Sequence, residues 1–226
     1  MLLNGLRTAK ASVKATWGLS EAWNFCARRL RPRTWARRRE ENRAAVGLYD
    51  AGGARPICGQ ELGPAAALPF GRKTLSYCGC EVIAVYNVLL ALGEPRPLAE
   101  ITDYFEGTGI ILNGSGGTHV EAIPRFFRSC GCAAEPLYAF RAREYDAAFA
   151  GAPAAVFSFW NARTLRACGR WVGVHTVCVT HAPSGGVLVQ NVHGRAVRPV
   201  QYRSIADYAE SCGLLPIVLI PVRRNT

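Results

Sequence analysis

Residues 80–93, CEVIAVYNVLLALG, are apolar on nearly every helical face and close at Gly93 and Pro95. No other feature constrains the fold as strongly. An amphipathic helix can rest on a surface, but this one has to lie inside, with the remaining chain wrapped around it. The 226 residues, half of them apolar and 19% charged, supply enough material. A domain of this size buries about 70% of its extended-chain surface, so it needs neither disulfides nor a metal to stand. PLAEITDYFEG, ending at Gly107, opens with a proline suited to a first helical turn and predicts a second helix. HVEAIPRFFRSC predicts a third, with Thr118 and Glu121 as a capping box and Pro124 kinking it or delaying its start. NGSGG at 113–117 lacks the Lys-Ser/Thr ending of a phosphate loop and reads as a turn. From residue 153 the pattern changes to APAAVFSFWN, VGVHTVCVTHA, GVLVQNVHG and LLPIVLIPV, the strands of a mostly antiparallel sheet. Helices first and strands afterwards make the fold α+β rather than doubly wound.

Charge divides the chain. The formal net charge is +11, and residues 1–43 hold 11 of the 27 Lys and Arg against 3 of the 16 acidic residues. Within this stretch Trp23, Cys26, Ala27 and Leu30 fall at helical spacing after Ser20, a candidate N-cap, and Pro32 separates a second helical segment, TWARRREENRAAV. Residues 1–49 are therefore read as a basic helical arm whose helices pack by their tryptophans, and 50–226 as the main domain, entered through the loop-rich stretch 50–71. The arm has no nucleic-acid-binding motif, so a nucleic-acid partner is not expected. No run of about 18 apolar residues is present, so no membrane span is expected. Arg7 and Lys10 interrupt the apolar stretch a secretory signal would need, which points to a cytoplasmic protein. Its nine cysteines would then be reduced: buried hydrophobes, metal ligands or a nucleophile.

Cys80 heads the buried helix and follows a glycine. The helix dipole and the free N–H groups of the first turn favour thiolate there, and the same N–H groups can hold an oxyanion. A thiolate nucleophile needs an imidazole, and the imidazole needs an acceptor on its second nitrogen. The strands carrying His175 and Asn191 are joined by the turn-rich APSGG and form a hairpin. Its midpoint places the two residues nearly opposite each other, at most one or two positions off register. Phe157 and Phe159 share one strand face and are read as core packed against the buried helix, whereas Trp160 and Asn161 end the strand where a cleft would open.

A helix-first cysteine in YCGCEVIAVYNVLLALG, a strand histidine in VGVHTVCV and a following asparagine in VQN together resemble the papain-like cysteine peptidases. The closest likeness is to the compact bacterial branch that processes double-glycine leaders, and it spans about residues 70 to 220. The resemblance implies a papain-like α+β fold and a cysteine-dependent peptidase acting on a peptide or protein substrate without a cofactor. It also implies a triad of Cys80 as nucleophile, His175 as general base and later acid, and Asn191 as orienter. Two departures are visible. In the double-glycine branch the cysteine is followed by glycine, which selects Cys78; the uninterrupted helix selects Cys80. The family also carries Gln or Asn about six residues upstream as an oxyanion donor, where this chain has RKTLSY, leaving a main-chain N–H, Ser76 or Tyr77 to substitute.

Three other readings stay open: an acyltransferase with the same nucleophile chemistry, a binding module that has lost activity, and a zinc site. The zinc site would draw on Cys78, Cys80, Cys130 and Cys132 with His175, His181 and His193. A single glycine between paired cysteines is a poor spacing for it, and no metal is expected.

Overall fold

A computed structural model describes residues 18–50, 53–114, 116–161, 173–192 and 196–225. Arg7, Lys10, His193 and the first part of the basic arm lie outside them. The chain opens with helix α1 at residues 18–30 and α2 at Pro32–Asp50, with Pro32 in the first turn as its missing N–H allows. Strands β1 (Pro69–Phe70) and β2 (Lys73–Thr74) form a small hairpin that leads into the one-turn α3 (Leu75–Cys78). Helix α4 (Cys80–Ala91) follows, then α5 (Leu98–Gly107) and α6 (Ala122–Ser129).

The second half contributes β3 (Cys132–Ala134), β4 (Leu137–Tyr138), α7 (Tyr145–Ala150), β5 (Ala154–Trp160), β6 (Val174–His181), β7 (Val187–Gln190), β8 (Val200–Tyr202), α8 (Ile205–Ser211) and β9 (Leu215–Arg224). The larger sheet runs β3-β9-β5-β6-β7-β8, with β4 also on β9, and every pairing in it is antiparallel. No helix among the described residues is long and apolar enough to cross a membrane.

Helix α4 lies inside, as its sequence requires: every residue from Cys80 to Leu89 is buried. Its side chains share one core with α5, α6 and the sheet residues Val156, Cys178, Val218 and Ile220. The opposite sheet face carries Phe157, Phe159, Val177, Val179 and Leu219, covered by Tyr145 and Phe149 of α7 and Tyr208 of α8. Phe157 and Phe159 thus share a buried face, but it is the one away from α4. Strands buried on both sides offer no polar face from which the direction could be read.

The capping box does not form either. Thr118 pairs with Ile110 in an isolated bridge, and the helix starts at Ala122 with Pro124 in its first turn; the Glu121 N–H donates to His119 Nδ1 at 3.2 Å instead. Ser20 lies within α1 rather than capping it.

The two N-terminal helices dock through polar contacts. Asn24 donates to the Ile110 carbonyl, and Arg28 to the carbonyls of Gly107 and Glu106 at 2.6 Å each. Asn42 donates to the Glu106 carboxylate at 2.6 Å, and Asp50 accepts from the first N–H groups of α5, Leu98 at 2.7 Å and Ala99 at 2.9 Å. Trp35 packs on the core, but Trp23 is 59% exposed, so packing by tryptophans holds for only one of these two.

Because Ile83 is wholly buried in the main core, truncating it leaves a cavity that rigid neighbours fill poorly. Ile83→Ala is expected to lower unfolding free energy by about 2–5 kcal/mol, read from the urea midpoint with an unchanged slope.

Candidate active site

The turn before α4 sets the site. At Gly79 an added Cβ would stand 2.4 Å from Leu75 Cδ2 and 2.7 Å from Leu75 Cα, so only glycine lets α3 fold back this tightly. The two flanking cysteines consequently diverge. Cys78 faces inward, its Sγ 3.5 Å from the Thr74 carbonyl oxygen, in the main core, with its pKa pushed up to about 12 by burial and then by the charge of Glu81. Cys80 faces a cleft of about 150 Å³ that is also lined by Gln60, Ser76, Tyr77, Asn161, His175 and Asn191. Cys78 does not line it.

His175 stands at the start of β6, on the face of Phe159, whose ring meets it edge-on with centroids 5.8 Å apart. The sulfur comes from the α4 side, and both residues line the same cleft. The register Cys178↔Gln190, carried one residue further, sets Asn191 level with Val177, two positions from His175 along β6 and within the expected range. The contact itself differs from expectation. His175 Nε2 lies 2.7 Å from the main-chain carbonyl oxygen of Asn191, not from its side chain. A carbonyl only accepts, so Nε2 carries the proton and in the neutral ring Nδ1 keeps its lone pair.

Asn191 leaves the strand at φ 63, a left-handed conformation that asparagine tolerates. Its side chain turns to Gln60: Oδ1 accepts the Gln60 main-chain N–H at 2.8 Å, and Nδ2 donates to Gln60 Oε1 at 3.2 Å. Gln60 Nε2 donates to the Ser76 carbonyl at 2.9 Å, which ties the loop, the hairpin and α3 together. Gly59 permits the approach: its φ is +75, and a Cβ there would stand 2.9 Å from the Ala196 carbonyl oxygen. An amide therefore does reach the cleft, from far upstream of RKTLSY. Nothing local to Cys80 signals it, since a folded-back loop delivers it.

Electrostatically the site runs against the expectation of a thiolate. Cys80 Sγ donates to Glu81 Oε2 at 3.2 Å, and its pKa is held well above the usual thiol range, first by burial and then by the Glu81 charge and hydrogen bond. Main-chain hydrogen bonds from Thr176 and Glu81 pull the other way and lose. Desolvation of a fully buried charge exceeds what half a unit of helix dipole returns. Burial likewise raises Glu81 to about 7, opposed by main-chain hydrogen bonds from Glu81 and Thr118 and by the Cys80 thiol.

No family model matches the sequence, and no curated protein matches it. Among solved structures the chain is similar to a double-glycine motif protease from an AMS/PCAT transporter, solved in complex with the leader peptide. The TM-score is 0.41 at 12% identity, covering 65% of this chain and 84% of that one. A likeness this distant assigns neither family nor activity, and the functional reading rests on the cleft of this chain.

A carboxyl whose folded pKa lies above its unfolded value favours the native state at low pH and ceases to as pH rises through about 7. Glu81→Gln removes that loss. The variant should gain stability over the parent at pH 8, by up to about 3 kcal/mol, with the difference shrinking toward pH 4.5; urea unfolding at both pH values measures it.

Proposed function

We propose that the chain is a cysteine-dependent amide hydrolase of the papain-like kind that acts on a peptide or protein, with Cys80 as nucleophile, His175 as general base and acid, and Asn191 as orienter. The observation that carries the reading is one small cleft lined by all three residues, with the imidazole held through Nε2 on the Asn191 carbonyl. Asn191 orients through its main-chain carbonyl, and its amide, clasped by Gln60, fixes the turn that presents that carbonyl.

At rest the sulfur is a thiol. Attack on the substrate carbonyl forms the S–C bond as the thiol proton passes to His175 Nδ1. The oxyanion meets main-chain N–H groups at the α4 start and the second N–H of the Gln60 amide. Collapse breaks the C–N bond, and His175 returns the proton to the leaving amine. Water, deprotonated by His175, then cleaves the thioester and releases the acid. An amine in place of water would make the same thioester an acyl donor, so acyl transfer shares every step but the last.

The Cys80–Glu81 contact favours one second reading, a binding module that keeps the fold while its sulfur stays protonated. Chemistry at the sulfur separates the two. Iodoacetamide followed by intact-mass and peptide mapping should mark Cys80, which lines the cleft, before Cys78, which does not, slowly at pH 6 and faster as pH rises, because the thiol pKa is raised. Glu81→Gln should speed labelling at pH 7 by removing the adjacent negative charge. Hydrolysis of a peptide panel should fall about a hundredfold or more in Cys80→Ala and His175→Ala and persist in Cys78→Ala. A folded parent that labels at Cys80 and cleaves nothing supports the binding module.

A further inference from the structure

A second recess in the described structure lies away from Cys80. It encloses about 480 Å³ between α1, α2 and the segments carrying Arg72 and Leu112. Along α1, Leu19, Trp23, Cys26 and Leu30 recur at spacings of four, three and four, the period of a heptad seam. All four are exposed, Leu19 by 72%, Trp23 by 59% and Leu30 by 82%. An apolar seam left open to water in this way is the mark of an interaction surface.

The charges around it all have one sign. Arg28, Arg31, Arg38 and Arg72 line the recess, and no Asp or Glu does. Among the described residues, none of Arg31, Arg38 and Arg72 takes part in an ion pair. Arg28 is fixed by its two carbonyl acceptors and lies over the Trp35 ring, 4.9 Å from the centroid. Even so, its Nε–H and the Trp35 indole N–H are buried and find no acceptor. Asn113 Oδ1, on the same lining, is likewise buried without a partner, so what the recess offers a ligand is its exposed arginines and apolar seam.

The geometry points to a docking site for an acidic amphipathic helix of a partner protein, with its apolar ridge on the α1 seam and its Glu or Asp side chains on Arg31, Arg38 and Arg72. Charge excludes two nearer occupants. Residues 1–17 carry Arg7, Lys10 and Lys14 and no acid, and a second copy docking through the same face would set arginine against arginine. A bilayer surface matches the charge, but a flat face does not fill a recess of this volume. A protruding helix with acidic flanks does. The site stands apart from the proposed chemistry at Cys80 and holds whether or not that reading does.

The test uses the full chain and fluorescein-labelled synthetic helices of about four turns, with Leu or Phe at heptad spacings and Glu on the flanks, against counterparts with Lys in place of Glu. Polarisation should show the acidic set binding about tenfold or more tighter than the basic set, weakening with salt. Trp23→Ala should reduce that affinity, and the double change Arg38→Glu with Arg72→Glu should reverse the preference. Both alter partly or fully solvated side chains, and circular dichroism checks their folding; if either fails, the charge and salt comparison on the parent protein still decides. Equal affinity for the two peptide sets, or binding by neither, overturns the proposal. So does tight binding to phosphatidylglycerol vesicles that the acidic peptides cannot displace, or self-association that Trp23→Ala abolishes.

Discussion

The fold depends on burying α4 on all sides, because a helix apolar around its circumference must be enclosed by other elements. Helices α5 and α6 cover one side and the sheet the other. The sheet in turn presents a second apolar face that α7 and α8 close. A glycine that only just clears Leu75 ends the turn before α4. The first residue of the helix, Cys80, is thereby held where the end of β6 and the Gln60 loop converge. The position of the sulfur is a consequence of core packing, set by the same burial that stabilises the protein.

That burial has an electrostatic consequence. A thiol and a carboxyl sit side by side out of water, 3.2 Å apart, and each is pushed toward its protonated form. The dipole of α4 points the right way to stabilise a thiolate, but a partial charge at a helix end is weak against complete desolvation plus a neighbouring acid. The imidazole that lines the same cleft is held by a main-chain carbonyl, an acceptor that does not itself titrate.

Polar contacts of the N-terminal helices show a different economy. Asn24, Arg28 and Asp50 pair with main-chain groups at the two ends of α5 and in the loop after it, and Asn42 with the Glu106 carboxylate, so helices with few apolar inward residues still dock specifically. The apolar residues of α1 that remain outside form a seam beside uncompensated arginines.

The sequence alone determined the buried helix, the antiparallel strands after residue 153, the α+β order and the hairpin joining His175 to Asn191. Each follows from periodicity or turn chemistry within a short window, where the pattern of burial is written residue by residue. Tertiary structure decided which way Phe157 and Phe159 face, which cysteine reaches the cleft, and that Asn191 serves the imidazole through its backbone. It also decided that Gln60 arrives from a distant loop and that burial beside Glu81 pushes the sulfur toward its thiol form. Those outcomes depend on what stands across from a residue and how much water remains near it, and both are properties of the assembled chain.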